Sequence, residues 1–322
     1  MGFYFTIRES IRLNRYVAAG IYMVQSLWFS RFGRLRKQVR ARRREEGLRG
    51  VAMCLRFRDE APFLKDWLDY HFASGVEHCF VYNNFSADNY EEVLNPYREA
   101  GKVTLIEWPR VPASPAAEED CVLRAVGQYK WVGFLDADEF VVIRGNVGIE
   151  AFLSAYADYP AVALHWYMFG SNGHKTRPCG PVFAEYIRRD RWPNRHVKCF
   201  VRPDRVTQNR NSHSWYFEGM RSAVTEKGRK VAGSISIPAS AERAWINHYY
   251  CKSEEDYLEK AARKSTLDRV GMLFPTHSAE RLNEAITKSN EVMDDCAARY
   301  YRARCDAMSG LLNDGARSLS RS

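Results

Sequence analysis

Residues 131 to 142 read WVGFLDADEFVV. The run Trp131–Leu135 carries no charge and leads straight into Asp136-Ala137-Asp138-Glu139, so a buried strand is expected to end in a cluster of acid. Two carboxylates at alternate positions of a strand share a face and can reach toward one divalent ion. Their mutual repulsion is costly unless a cation or a proton neutralises it. Asp-x-Asp alone says little, since acid pairs at strand ends are common surface features; its context decides.

That context is regular. VAMCLRF (51–57), HCFVYNN (78–84) and KVTLIEW (102–108) read as short buried strands. Between them lie helical patterns at 61–75, 86–101 and 118–129, the first with Phe63, Leu64, Trp67, Leu68, His71 and Phe72 at helical spacing and Gly75 as its stop. The β-α-β-α-β-α-β order predicts an α/β fold with a mostly parallel, doubly wound sheet. In such sheets ligands bind beyond the carboxyl ends of the strands. The polar residues expected there are Arg58–Glu60, Asn83–Asp88 and Asp136–Glu139.

The second half is less regular. AVALHWYMF (161–169) and VKCFVRP (197–203) read as strands around the loop GSNGHKTRPCG (170–180), and WINHYY (245–250) as another. Residues 253–265 and 279–312 read as helices. The expected division is an N-terminal helical arm (1–49), an α/β domain (50–252, in two halves that meet at 142 and 143) and a helical C-terminal region (253–322).

Charge sits at one end. Residues 1–50 hold twelve Lys/Arg and three Glu, which is the whole net charge of +9; of 48 basic and 39 acidic residues in the chain, 36 of each remain for the rest. A neutral body argues against nucleic acid as a partner. Within the arm, Tyr16–Phe29 is an apolar stretch of fourteen residues, short of the ~20 that span a bilayer. Flanked by arginines, it suits either the interface of an anionic membrane or docking on the folded domain. The eight cysteines are scattered without a C-x-x-C pair, which reads as free thiols in a reducing compartment. With no segment that looks like a cleavable signal peptide, the expected location is cytoplasmic, peripheral on the inner face of the cell membrane.

Several ordered segments share a likeness. CLRFRDEAPFLKDWLDYHFASGVEHCFVYNNFSADN (54–89), VLNPYREAGKVTLIEWP (93–109) and WVGFLDADEFVV are followed by WYMFGSNGHKTRP (166–178), VKCFVRP, NSHSW (211–215) and INHYY (246–250). Together they resemble glycosyltransferase family 92 and its relatives near family 2. The resemblance implies a GT-A fold, a divalent cofactor (manganese, or else magnesium) and transfer of a sugar from a nucleotide-sugar donor, a UDP-sugar by preference, to a saccharide or glycolipid acceptor, with inversion favoured. It implies metal contacts for Asp136, Asp138 and His248, donor contacts for Glu60, Asn84, Asp88, Asp120 and Asp136, and a diphosphate contact for Lys198. Two departures stand out: Arg58-Asp59-Glu60 replaces the usual Asn-Glu, and Asn83-Asn84 stands where family 2 enzymes have Asp-Asp.

His174 and His213 lie in loops and suit acceptor or phosphate contacts, or simple loop stapling. An inverting enzyme also needs a base at the acceptor hydroxyl. Glu185, Asp190 and Glu218 lie in the right half of the chain, and spacing does not choose among them. A nucleotidyltransferase would want a glycine-rich phosphate loop after the first strand, which CLRFRDEAP lacks. The rival of another class is a membrane-surface scaffold with a degenerate, inactive transferase fold.

Overall fold

A computed structural model describes residues 15–44, 46–262, 283 and 289–319. The expectations for residues 1–14, for 263–265 and for most of 279–288 fall outside them.

Four strands and the three helices between them alternate as foreseen. Strands β1 (Arg49–Phe57), β2 (His78–Asn83), β3 (Val103–Glu107) and β4 (Tyr129–Phe134) run parallel in the order β3-β2-β1-β4. Before them come α1 (Arg15–Phe32) and α2 (Arg36–Arg42); between them lie α3 (Ala61–Ala73), α4 (Tyr90–Glu99) and α5 (Ala116–Ala125). Alternate residues of β1 feed opposite faces of the sheet. Val51, Met53, Leu55 and Phe57 join one core with Trp67, Leu68 and Tyr70 of α3, while Ala52 and Cys54 join a second with Ala117, Cys121 and Val122 of α5. A central strand covered on both faces must be apolar throughout, which is why β1 reads as a continuous run and not an alternation.

The second half extends the same sheet. After β5 (Glu139–Ile143), α6 (Ile149–Ser154) and β6 (Ala161–Met168) come α7 (Val182–Glu185), β7 (Arg188–Arg189), β8 (Asn194–Val201), the hairpin β9 (Val206–Asn211) and β10 (Ser214–Phe217), β11 (Ala223–Thr225), β12 (Lys230–Val231) and β13 (Ala244–His248). Strand β8 lies antiparallel between β4 and β6, and β13 joins parallel to β6 and antiparallel to β5. Among the described residues this makes ten strands in one sheet. The chain closes with α8 (Glu254–Ala262), β14 (Val292–Met293) and α9 (Cys296–Leu319). The mostly parallel α/β class is the one the sequence implied. The eight cysteines are free thiols.

Two expectations need correction. Residues 131–142 are not one strand: β4 stops at Phe134 and β5 starts at Glu139, so Asp136 and Asp138 occupy a turn and not alternate positions of a strand. The turn is closed by Glu139 N–H donating to Asp136 O (3.0 Å) and by Asp136 N–H donating to Glu139 Oε2 (2.8 Å). Residues 279–312 are not one helix either. Val292 and Met293 pair with β7, and α9 starts only at Cys296, whose N–H donates to Asp294 Oδ1 at 2.9 Å. The polar pair Asp294-Asp295 supplies acceptors to orphan donors of a helix start, which a periodicity reading passes over.

Candidate active site

The carboxyl edge of the parallel strands gathers the charged groups. Asp138 is buried in the turn after β4, and its backbone carbonyl accepts from Tyr249 N–H (2.8 Å), tying that turn to the end of β13. This fixes His248, the last residue of β13, with its Nε2 3.6 Å from Asp138 Oδ1. Trp166 of β6 packs on the imidazole with ring centroids 4.5 Å apart, and His248 Nδ1 is buried with no hydrogen-bond partner among the described residues.

Ammonium groups neutralise the acids. Lys198 on β8 is 2% exposed and its Nζ lies 2.7 Å from Asp136 Oδ2 and 3.4 Å from Glu139 Oε2. Lys260 on α8 donates to Asp138 Oδ2 at 2.6 Å. Lys252, between β13 and α8, is buried over the ring of Phe63 (3.9 Å) with Glu60 Oε2 3.8 Å away. Its φ of 52° is left-handed, uncommon for a non-glycine residue, and such backbone concentrates at functional sites.

The pKa directions follow from this packing. Loss of water works against ionising Asp136, yet Lys198 outweighs it and holds the carboxyl down at about 2; the side chain keeps 48% of its surface open to solvent. Burial works the same way on Asp138, where Lys260 and His248 hold the carboxyl well below the usual range. Glu139 goes the other way, because complete burial outweighs Lys198 and pushes it well above the carboxylate range. Lys198 and Lys260 are raised despite burial, by Asp136 and Asp138 respectively, while burial lowers Lys252.

The other expected residues divide. Glu60 sits at the start of α3, where its backbone carbonyl accepts from Phe63 N–H (2.9 Å), and its carboxylate faces Lys252. Asp88 Oδ2 accepts from Ala61 N–H (2.7 Å) at the start of the same helix. Asn84 Nδ2 donates to Trp108 O (2.7 Å) and Arg110 O (3.1 Å), clipping the exit of β3. Asp120 is taken by Tyr82 (2.8 Å) and Arg124 (2.6 Å). His213, in the β9–β10 turn, donates from Nδ1 to Val197 O (2.9 Å) and lies beside Trp166. Burial, with Lys198 nearby, holds its pKa at about 4, so the ring is neutral near neutral pH. His174 meets the start of α8, its carbonyl accepting from Glu254 N–H (3.1 Å), with Glu185 O 3.4 Å from its Nε2. Of the three candidate bases, Glu218 is bound to Arg36, Arg40 and Arg43 of the arm, and Glu185 stays with His174. Asp190 donates its N–H to Met168 O (2.9 Å), and Met168 pairs with His248, so it lies at the edge where the site is built.

Lys252, Lys260 and the aromatic platform of Trp166, flanked by His196, His213 and His248, were not foreseen. Lys260 is 122 residues from Asp138 in sequence and reads as one more charge on a polar helix. A carboxylate oxygen and an imidazole nitrogen 3.6 Å apart can share a divalent ion, which bonds such donors at about 2.1 Å. Asp138 and His248 fit that requirement. Asp136 is turned to Lys198 instead, and no group of three or more His, Cys, Asp or Glu is placed to hold a metal ion among the described residues.

Comparison with known proteins follows the same lines. A family 92 glycosyltransferase protein of Oryza sativa subsp. japonica is 35% identical over 219 residues, which is 65% of this chain and 35% of that one. Another, of Ricinus communis, is 30% identical over 233 residues, 68% of this chain and 40% of that one. The Caenorhabditis elegans beta-1,4-galactosyltransferase galt-1 is 24% identical over 218 residues, 62% of this chain and 48% of that one. The chain thus spans less than half the length of these relatives. Among solved structures, Staphylococcus aureus TarS 1–349 superposes with a TM-score of 0.35 at 13% identity, covering 74% of this chain and 70% of that one. Residues 49–240, more than half of the chain, match the description Glycosyltransferase family 92, and the chain belongs to that family.

Proposed function

We propose that the chain transfers a hexose from a nucleoside-diphosphate sugar, a UDP-sugar by preference, to a hydroxyl of a saccharide or glycolipid acceptor. The observation that carries this is the grouping of Asp136 and Asp138 with Lys198, Lys252 and Lys260 at the carboxyl edge of the sheet. Family membership supports the reading, as does a relative named for galactosyl transfer.

Asp138 and His248 would hold a divalent ion, manganese or magnesium, which when bound supplies Lewis-acid stabilisation of the leaving diphosphate. Lys252, buried, and Lys260, held against Asp138, add ammonium charge where negative charge grows as the sugar–phosphate bond breaks. Lys198 keeps Asp136 ionised and oriented for the donor. The aromatic platform of Trp166 with His196 and His213 suits the apolar face of an acceptor sugar. Asp190 is the base proposed here: its carboxylate takes the proton of the attacking hydroxyl, consistent with a single displacement and inversion.

The test is calorimetric titration of UDP and GDP with and without manganese, paired with a transfer assay. Asp138→Ala is expected to abolish metal-dependent nucleotide binding. Asp190→Asn should keep that binding and lose transfer by roughly 10²–10⁴-fold. Absence of nucleotide binding under every condition overturns the assignment and favours an inactive surface module.

A further inference from the structure

Helix α1 has two unlike faces. On the inner one Ser26 is buried, Gln25 Oε1 accepts from Tyr216 O–H (2.7 Å), and Phe29 stacks on Tyr216 with centroids 4.7 Å apart. Just past the helix, Gly33 lies against the backbone of Thr207 on β9. The helix is therefore fixed to the β9–β10 hairpin. On the outer face Ile21, Val24, Leu27, Trp28 and Phe32 form one stripe at helical spacing, exposed from 43% (Ile21) to 66% (Val24). Exposed apolar stripes of this kind mark interaction surfaces on soluble domains.

What covers the stripe is indicated by charge. Arg31 lies within it, and exposed Lys37, Arg42 and Arg44 follow, while Arg34 and Arg40 already pair with Glu119 and Glu218. Residues 1–50 carry the chain's whole net charge of +9, so two copies meeting through this face would repel. An anionic bilayer takes up both features, the apolar side chains at the headgroup boundary and the cations among the lipid phosphates. No helix among the described residues is long and apolar enough to cross a membrane, so the stripe would lie along the surface. We propose that the outer face of α1 docks the protein on an anionic membrane surface, with the arginines that follow it as the electrostatic half of the contact. This proposal is independent of the catalytic reading.

Flotation of the purified full chain with vesicles tests it. The protein is expected to float with equimolar phosphatidylcholine–phosphatidylglycerol vesicles, and to bind phosphatidylcholine alone at least roughly tenfold more weakly, with binding also falling in high salt. Leu27→Ser with Trp28→Ser should weaken binding to the anionic vesicles by more than about tenfold while the melting temperature is kept, because both side chains are already exposed. Failure to float with anionic vesicles overturns the proposal, as does flotation that the double variant retains. So does a dimer by light scattering that the double variant dissolves, which would assign the stripe to a second copy.

Discussion

At the scale of single residues, the structure turns on charges paired out of water. Arg189 and Asp294 are one such pair beside Asp190, with Arg189 also lying 3.7 Å over the Tyr167 ring. Asp294 is mostly buried, which works against its charge, but the bonds it accepts from Arg189 and Cys296 prevail and depress its pKa. A carboxyl whose folded pKa lies below the unfolded value of about 3.9 stabilises the fold above that pH, and the stabilisation is lost as pH falls through the folded value. Asp294→Asn is expected to cost about 1–3 kcal/mol at neutral pH by chemical denaturation, and the cost should shrink in acid, where the wild type has lost the same term. Sequence revealed the acids of the site because Asp136 and Asp138 end an apolar run. It did not reveal their cations, since Lys252 and Lys260 gain meaning only from where α8 returns to the sheet.

At the scale of elements, α1 depends on a glycine that ends it. A Cβ on Gly33 would come within 2.4 Å of Thr207 O and 2.5 Å of Phe29 O, both backbone atoms that cannot turn aside. Gly33→Ala is expected to lift α1 from the hairpin, costing about 1–3 kcal/mol and speeding proteolysis within residues 33–44, with the nucleotide site untouched. Limited trypsin digestion checks this. The helix also shows how far a sequence reading of an element reaches. Its apolar stretch was legible, and so were its two uses, on protein or on membrane. The partner of its inner face was not, because Tyr216 and Thr207 lie almost two hundred residues along the chain. The break between β4 and β5 was hidden for a related reason: both halves are buried and apolar, so no periodicity marks the turn.

At the scale of the whole molecule, the arm is part of the fold as well as a carrier of charge. Leu35 and Val39 are buried in the core beneath α5, Arg34 pairs with Glu119, and Glu218 gathers Arg36, Arg40 and Arg43. A chain beginning at residue 46 should lose about 3–6 kcal/mol, from two buried aliphatic side chains at roughly 1.5–3 kcal/mol each. Urea unfolding of the two chains measures it; equal stability would show the arm to be an appendage. By itself the sequence determined the α/β class, the succession of the first four strands along the chain and the acid-bearing edge. Those follow from local periodicity and from the rule that parallel strands place their ligands at one end. Tertiary structure alone decided that β8 enters antiparallel between β4 and β6, that β13 brings His248 to Asp138, and that α8 lays Lys260 across the site. These contacts join segments far apart in the chain, and no local pattern encodes a partner that only burial and charge compensation select.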